Sequence, residues 1–163
     1  MKISAQFFKY KAYEYRLGIL SGVLVGLTYI PFPPLALLFC YLPLWVYTSQ
    51  STSVRKSFIA GWWTQFILTA IGFHWIAHTA HEFGQLPWIV SILALLLFCA
   101  FMHLYIPMAT ALATFLKKKF KLSPGITLFV IASTHALLER YWPVIFDWHL
   151  GYTTLWAGLP AYH

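Results

Sequence analysis

The sequence predicts an all-α fold: a polytopic transmembrane helical bundle of about five spans with its N-terminus in the cytoplasm. Three observations carry that expectation. Hydrophobic residues make up 60% of the 163, aromatic residues 20% and charged residues only 9%, whereas an ordinary soluble domain carries about 25% charged residues. So few polar groups cannot clothe a water-facing surface, so lipid has to supply the outer solvent. Apolar runs that approach or exceed the length needed to cross a hydrocarbon core of about 30 Å recur along the chain. The basic residues fall in short clusters between those runs, so the formal charge of +7 reads as membrane topology and not as a polar face for nucleic acid. Cys40 and Cys99 both lie inside apolar runs without CxxC spacing and read as small apolar residues, outside any disulfide or zinc framework.

The first span is preceded by Lys2, Lys9, Lys11 and Arg16, and no small-x-small cleavage site follows it, so it reads as a retained anchor. The apolar stretch Leu17 to Tyr47 is interrupted by Pro31, Pro33 and Pro34, which cannot continue a helical hydrogen-bond ladder. Basic residues flank it on both sides, from Lys9 to Arg16 and at Arg55 and Lys56, which puts both ends in the cytoplasm and makes the stretch a hairpin. Its arms are residues 13–30 and 33–48; the first, about 18 residues, reaches roughly 27 Å. A third span, 57–79, runs from Trp62 and Trp63 to Trp75, as an aromatic belt would. A fourth, 87–116, stops at Lys117, Lys118, Lys119 and Lys121. The fifth, 122–138, delivers Glu139 and Arg140 to the outer face, and residues 139–163 read as an outer-face interfacial segment or the start of a further span. This arrangement leaves only Arg140 of the eleven Lys and Arg residues outside. Residues 1–163 form one membrane domain without internal repeats.

Chemistry concentrates in Gly72 to Pro87, GFHWIAHTAHEFGQLP. His74, His78 and His81 are spaced i, i+4, i+7, which places them on one helical face, with Glu82 next in the chain. Such a face offers a metal or haem ligand pair, but it is not HExxH and holds no general base between ligands. The other reading has interfacial histidines bonding headgroups, water or neighbouring helices, and on it no metal and no cofactor is expected. His135 and Glu139, four apart, are placed to pair across one turn. An acid at mid-membrane costs about 2.5–3.5 kcal/mol, which makes a retained one a functional candidate; a structural role in tying the span to its outer loop stands beside it. Asp147 and His149 in FDWHLGY admit the same two readings. Cys99 and His103 do not read as a nucleophile pair, because a thiol desolvated in mid-span stays inert.

Three landmarks follow one another along the chain. The first is PFPPL at Pro31 to Leu35. The second is the outer loop with Trp75, His81, Phe83, Gly84, Leu86 and Pro87. The third is Glu139 followed by Trp148, Gly151 and Tyr152. In this order and setting they resemble the N-terminal membrane domain of bacterial apolipoprotein N-acyltransferase. Asp147 stands where that family usually has Pro, and Arg140 follows the Glu directly.

The resemblance implies transfer of an acyl chain from membrane phospholipid to the free amino group of a lipoprotein's diacylglyceryl-cysteine, in the bacterial inner membrane. It also implies that the Glu, Lys and Cys of the chemistry belong to a nitrilase-like domain after the membrane part. No catalytic residue is therefore expected among these 163, and the chain is expected to be truncated or separately encoded, inactive alone, and served by that domain in cis or in trans. Membrane phospholipid and a lipoprotein substrate are the implied partners, and nucleic acid is not. The implied lipid-contacting or motif residues are Trp75, His81, Phe83, Gly84, Glu139, Trp148, Gly151 and Tyr152. Two other classes stay open: a small non-catalytic membrane scaffold or lipid-binding protein, and a metal- or haem-binding membrane protein using His74, His78 and His81.

Overall fold

The computed structural model describes residues 14–29 and 39–143, and among them it holds seven α-helices and no strand. The all-α class is as the sequence predicts. Helix α1, Arg16–Gly26, continues into a 3-10 turn, Leu27–Tyr29. Its glycines at 18, 22 and 26 share one face and let its backbone lie against α3, Val54–Gly72. The Thr64 hydroxyl of α3 donates to the Gly18 carbonyl at 2.8 Å across that seam. PFPPL lies outside the described residues.

Helix α2, Leu42–Gln50, opens with Pro43 in its first turn, where a missing N–H costs nothing. The orphan N–H of Leu44 is satisfied from outside, donating to Ser21 Oγ of α1 at 3.0 Å. Ser53 caps the start of α3 by accepting from the Lys56 N–H. Helix α3 is the axis of the bundle, with α1, α5 and α6 packed around it.

Two of the expected spans are not continuous helices. The 57–79 stretch ends one helix at Gly72 and begins another, α4, at Trp75–Glu82. The 87–116 stretch divides into α5, Trp88–Phe101, and α6, Tyr105–Phe120. The second break has a plain cause. Pro107 has no N–H to give the His103 carbonyl and its ring crowds that position, so the helix ends before it and Ile106 N–H bonds His103 instead, at 3.0 Å. Helix α7, Pro124–Tyr141, starts with a Ser123 cap and Pro124 in its first turn.

Val25, Leu44, Leu68, Ile106 and Ile131 are buried in a core that also takes in many hydroxyls and one amide. Thr48, Ser57, Thr64, Gln65, Thr69, Thr110, Thr114 and Thr127 are buried, while α5 exposes Ile89, Leu93, Leu97 and Phe101 and α7 exposes Phe129 and Leu137. Small and hydroxyl-bearing residues at helix seams with an apolar exterior is how helices associate in lipid, where apolar burial drives nothing. Among the described residues the run Trp88–Phe120, of 33 residues, is long and apolar enough to cross a membrane.

One end of the bundle collects the start of α1, the end of α2, the start of α3 and the end of α6. Glu14 and Lys56 form an ion pair there. The Lys117 ammonium donates to the carbonyls of Ser49 at 2.6 Å and Ser51 at 3.1 Å. Thr114 donates to Ser57 Oγ at 2.7 Å. The other end carries α4 and the loop after it, packed on α5, and the C-terminus of α7 reaches Tyr105 at the start of α6.

Candidate functional site

At that second end α3 stops because the chain turns at Phe73 and His74, with Ile76 N–H bonding the Phe73 carbonyl at 3.0 Å. Helix α4 then packs on α5. Its last turn is closed by a tight loop. Phe83 and Gly84 N–H bond Thr79 O, Leu86 N–H bonds Ala80 O at 3.3 Å, and Gln85 takes the left-handed conformation with φ 51°. A Cβ on Gly84 would stand 2.5 Å from Ala80 O, so only glycine fits this close approach.

His81 holds the same loop from its side chain. Its Nδ1 lies 2.7 Å from the Leu86 carbonyl, which can only accept, so Nδ1 carries the proton. The ring stacks on Trp88 at 4.2 Å with planes 27° apart, and Nε2 is 4.0 Å from Glu82 Oε1. Gly84, Leu86, Pro87 and His81 thus share one structural task, the turn from α4 into α5.

The three histidines do not converge as a ligand set. His74 falls before the first turn of α4 and its Nδ1 donates to Ile71 O at 2.8 Å, while the His78 ring lies 6.3 Å from that of Trp88. Among the described residues no group of three or more His, Cys, Asp or Glu is placed to hold a metal ion. Phe83 stands apart from the rest of the motif: it is 84% exposed, with Trp75 also exposed on the same short element.

The Glu139 landmark lies at the end of α7, and the His135–Glu139 pair expected from spacing is not made. His135 is buried and turned into rings of Tyr41 at 4.3 Å, Tyr105 at 5.5 Å and Trp45 at 6.1 Å. Neither of its nitrogens has a hydrogen-bond partner among the described residues, and the same holds for Trp45 Nε1. One turn of helix brings His135 and Glu139 to the same side, but the ring follows the aromatic cluster. Asp147, Trp148, His149, Gly151 and Tyr152 lie outside the described residues.

Sequence reasoning missed a second polar centre at the α5–α6 break. Gln65 Nε2 donates to Ala100 O at 2.6 Å and Trp62 Nε1 donates to the same carbonyl at 3.2 Å, supplying what the interrupted helix leaves unmet. His103 Nδ1 lies 2.9 Å from Thr69 Oγ1, whose own hydrogen goes to Gln65 O at 2.7 Å. Thr69 has one hydrogen to give, so toward His103 it accepts and His103 Nδ1 carries a proton. His103 therefore serves the seam and is not turned to Cys99 as a base. The signal available in sequence was Pro107 inside one apolar run and Gln65 inside another.

A family model described as the apolipoprotein N-acyltransferase N-terminal domain matches residues 21–161. The chain belongs to this family. A protein of Bdellovibrio bacteriovorus named apolipoprotein N-acyltransferase is 71% identical over the whole of this chain, which covers 30% of that relative's length. Two proteins of Leptospira interrogans, from serovars copenhageni and Lai and both named apolipoprotein N-acyltransferase 2, are each 30% identical over 107 residues. That alignment takes in 66% of this chain and 18% of each relative. No solved structure matches the chain. The family match takes in both the loop after α4 and the Glu139 landmark, so the resemblance read from PFPPL, the outer loop and FDWHLGY identifies the right family.

Proposed function

We propose that this chain is the membrane-embedded part of an apolipoprotein N-acyltransferase, set in the bacterial inner membrane with its N-terminus in the cytoplasm. It holds acyl chains of phospholipid and lipoprotein while a nitrilase-like domain, in cis or in trans, performs the transfer. The observation that carries this reading is an exposed apolar face along α5, with hydroxyl-rich helix seams behind it, within a family match covering residues 21–161. Burying acyl methylenes against such a face contributes about 0.8 kcal/mol each. The basic end of the bundle supports the orientation, since Lys and Arg prefer the cytoplasmic side. The loop with Trp75, His81, Phe83 and Gly84 then lies at the outer surface, together with Glu139, and Trp148, Gly151 and Tyr152 complete the lipid-contacting set. Within that set Phe83 is the lipid contact of choice, because His81 and Gly84 are occupied in closing the turn.

The test is complementation in a strain depleted of its own lipoprotein N-acyltransferase. The chain alone is expected not to restore N-acylation, read by mass spectrometry of a lipoprotein's N-terminus. Joined to the remaining length of the Bdellovibrio relative, it is expected to restore it. Acylation by the chain alone, or failure of the hybrid where the intact relative succeeds, overturns the reading.

A further inference from the structure

The end of the bundle opposite the histidine loop gathers positive charge from separate stretches of chain. The contacts of Glu14 with Lys56, of Lys117 with Ser49 and Ser51, and of Thr114 with Ser57 bring residues 14–16, 49–57 and 114–121 together. Arg55, Lys118, Lys119 and Lys121 are exposed there. Glu14 is the one acid at this end among the described residues, and it is engaged with Lys56. The compensating anions must come from outside the described protein.

What surrounds the lysines says which anions. Phe120 is 60% exposed directly between Lys119 and Lys121, with the Lys119 ammonium 5.5 Å from its ring centroid, and Phe115, five residues earlier, is 50% exposed. An end directed at bulk water has no use for those rings. Lysines interleaved with exposed aromatics, at the point where the apolar run Trp88–Phe120 stops, suit the depth at which headgroups meet acyl chains.

We propose that this end is a binding surface for anionic phospholipid headgroups, with Arg55, Lys118, Lys119 and Lys121 facing the phosphates and Phe115 and Phe120 set against the acyl region. Lys117 takes no part, since its ammonium is held by the Ser49 and Ser51 carbonyls. The inference rests on the membrane reading above and adds a lipid preference to it.

The full chain is first inserted into nanodiscs of neutral phosphatidylcholine, which tests the membrane reading by itself. It is then inserted into discs holding about one third phosphatidylglycerol, and native mass spectrometry counts the lipids retained of each kind. The wild-type chain is expected to retain the anionic lipid beyond its bulk proportion, with the enrichment falling at high salt as screening shortens the field. K118Q/K119Q/K121Q is expected to lower the retained ratio of anionic to neutral lipid at least about fivefold, the factor expected from losing even one lysine's attraction to an anionic surface. The Arg140→Gln variant, at the far end, is expected to leave it unchanged. Retention in bulk proportion by the wild type, or unchanged enrichment in the triple variant, overturns the lipid surface while leaving the membrane reading intact. Failure to enter neutral discs overturns both.

Discussion

Replacing Gly18 by alanine puts a single methyl group into the tightest seam of the bundle. The new Cβ would stand 2.6 Å from Ala60 O and 3.3 Å from Thr64 Oγ1, and the first of these is backbone that cannot swing aside. Helices α1 and α3 would have to part by roughly 0.8 Å, a gap that forfeits a quarter to a half of the dispersion at each contact along the seam. The Thr64 to Gly18 hydrogen bond, 2.8 Å long, would stretch beyond bonding range, a loss of about 0.6 kcal/mol for a bond between membrane helices. Overpacking costs about 1–3 kcal/mol, and alanine returns about 1 kcal/mol of helix propensity. The net expectation is a loss of about 0.5–2.5 kcal/mol. Equilibrium unfolding by dodecyl sulfate titration in mixed micelles measures it. Gly125→Ala is the control, because a Cβ there meets nothing within 4 Å; the same chemical change is expected to be neutral or stabilising. Equal effects at the two positions, or a Gly18→Ala variant more stable than wild type, would refute the close-packed seam.

Three further outcomes follow from the site. Gln65→Leu removes the 2.6 Å bond to Ala100 O and is expected to cost about 0.6–1.7 kcal/mol in the same titration; adding Trp62→Phe, which takes away the other donor to that carbonyl, is expected to cost more than the two single changes summed. Gly84→Ala drives a Cβ to 2.5 Å from Ala80 O and is expected to speed hydrogen exchange at the Leu86 amide at least tenfold, with the amides of α6 unaffected. Zinc titration of the purified chain is expected to show no site that depends on His78, because His74 and His81 each give Nδ1 to a backbone carbonyl, of Ile71 and of Leu86; stoichiometric zinc lost on His78→Ala would bring back the metal reading.

The all-α class was legible from the long apolar runs between basic clusters, and the described residues hold helices and no strand. The interruption of two apolar runs was not legible to the same degree. Pro107 marks the break before α6, yet a hydropathy reading passes over it since proline between apolar neighbours lowers the average little. The break after Gly72 has no proline to announce it. Spacing also failed at His135 and Glu139. An i, i+4 interval fixes which side of a helix two residues occupy, but the rings of Tyr41, Trp45 and Tyr105 come from other helices and decide where the imidazole points. Gln65 and Thr69 were invisible as partners because their counterparts, Ala100 O and His103, lie more than thirty residues away in sequence.

The outer-loop landmark carries two kinds of residue that sequence alone runs together. His81, Gly84 and Leu86 are explained by the fold: a stacked ring, a close backbone approach and a carbonyl acceptor that together turn α4 into α5. Any chain making this turn in this way needs them, whatever the protein does. Phe83 is explained by nothing among the described residues, since an aromatic ring that is 84% exposed gains little packing from them. Loss of acylation on changing His81 would therefore be ambiguous between a broken turn and a lost contact. Phe83→Ser in the hybrid with the Bdellovibrio relative separates the two: the expected outcome is unchanged unfolding in dodecyl sulfate with N-acylation lowered at least tenfold. Full acylation with Phe83 replaced would show that this ring meets neither lipid nor lipoprotein, and would move the search for the lipid contact to the exposed face of α5.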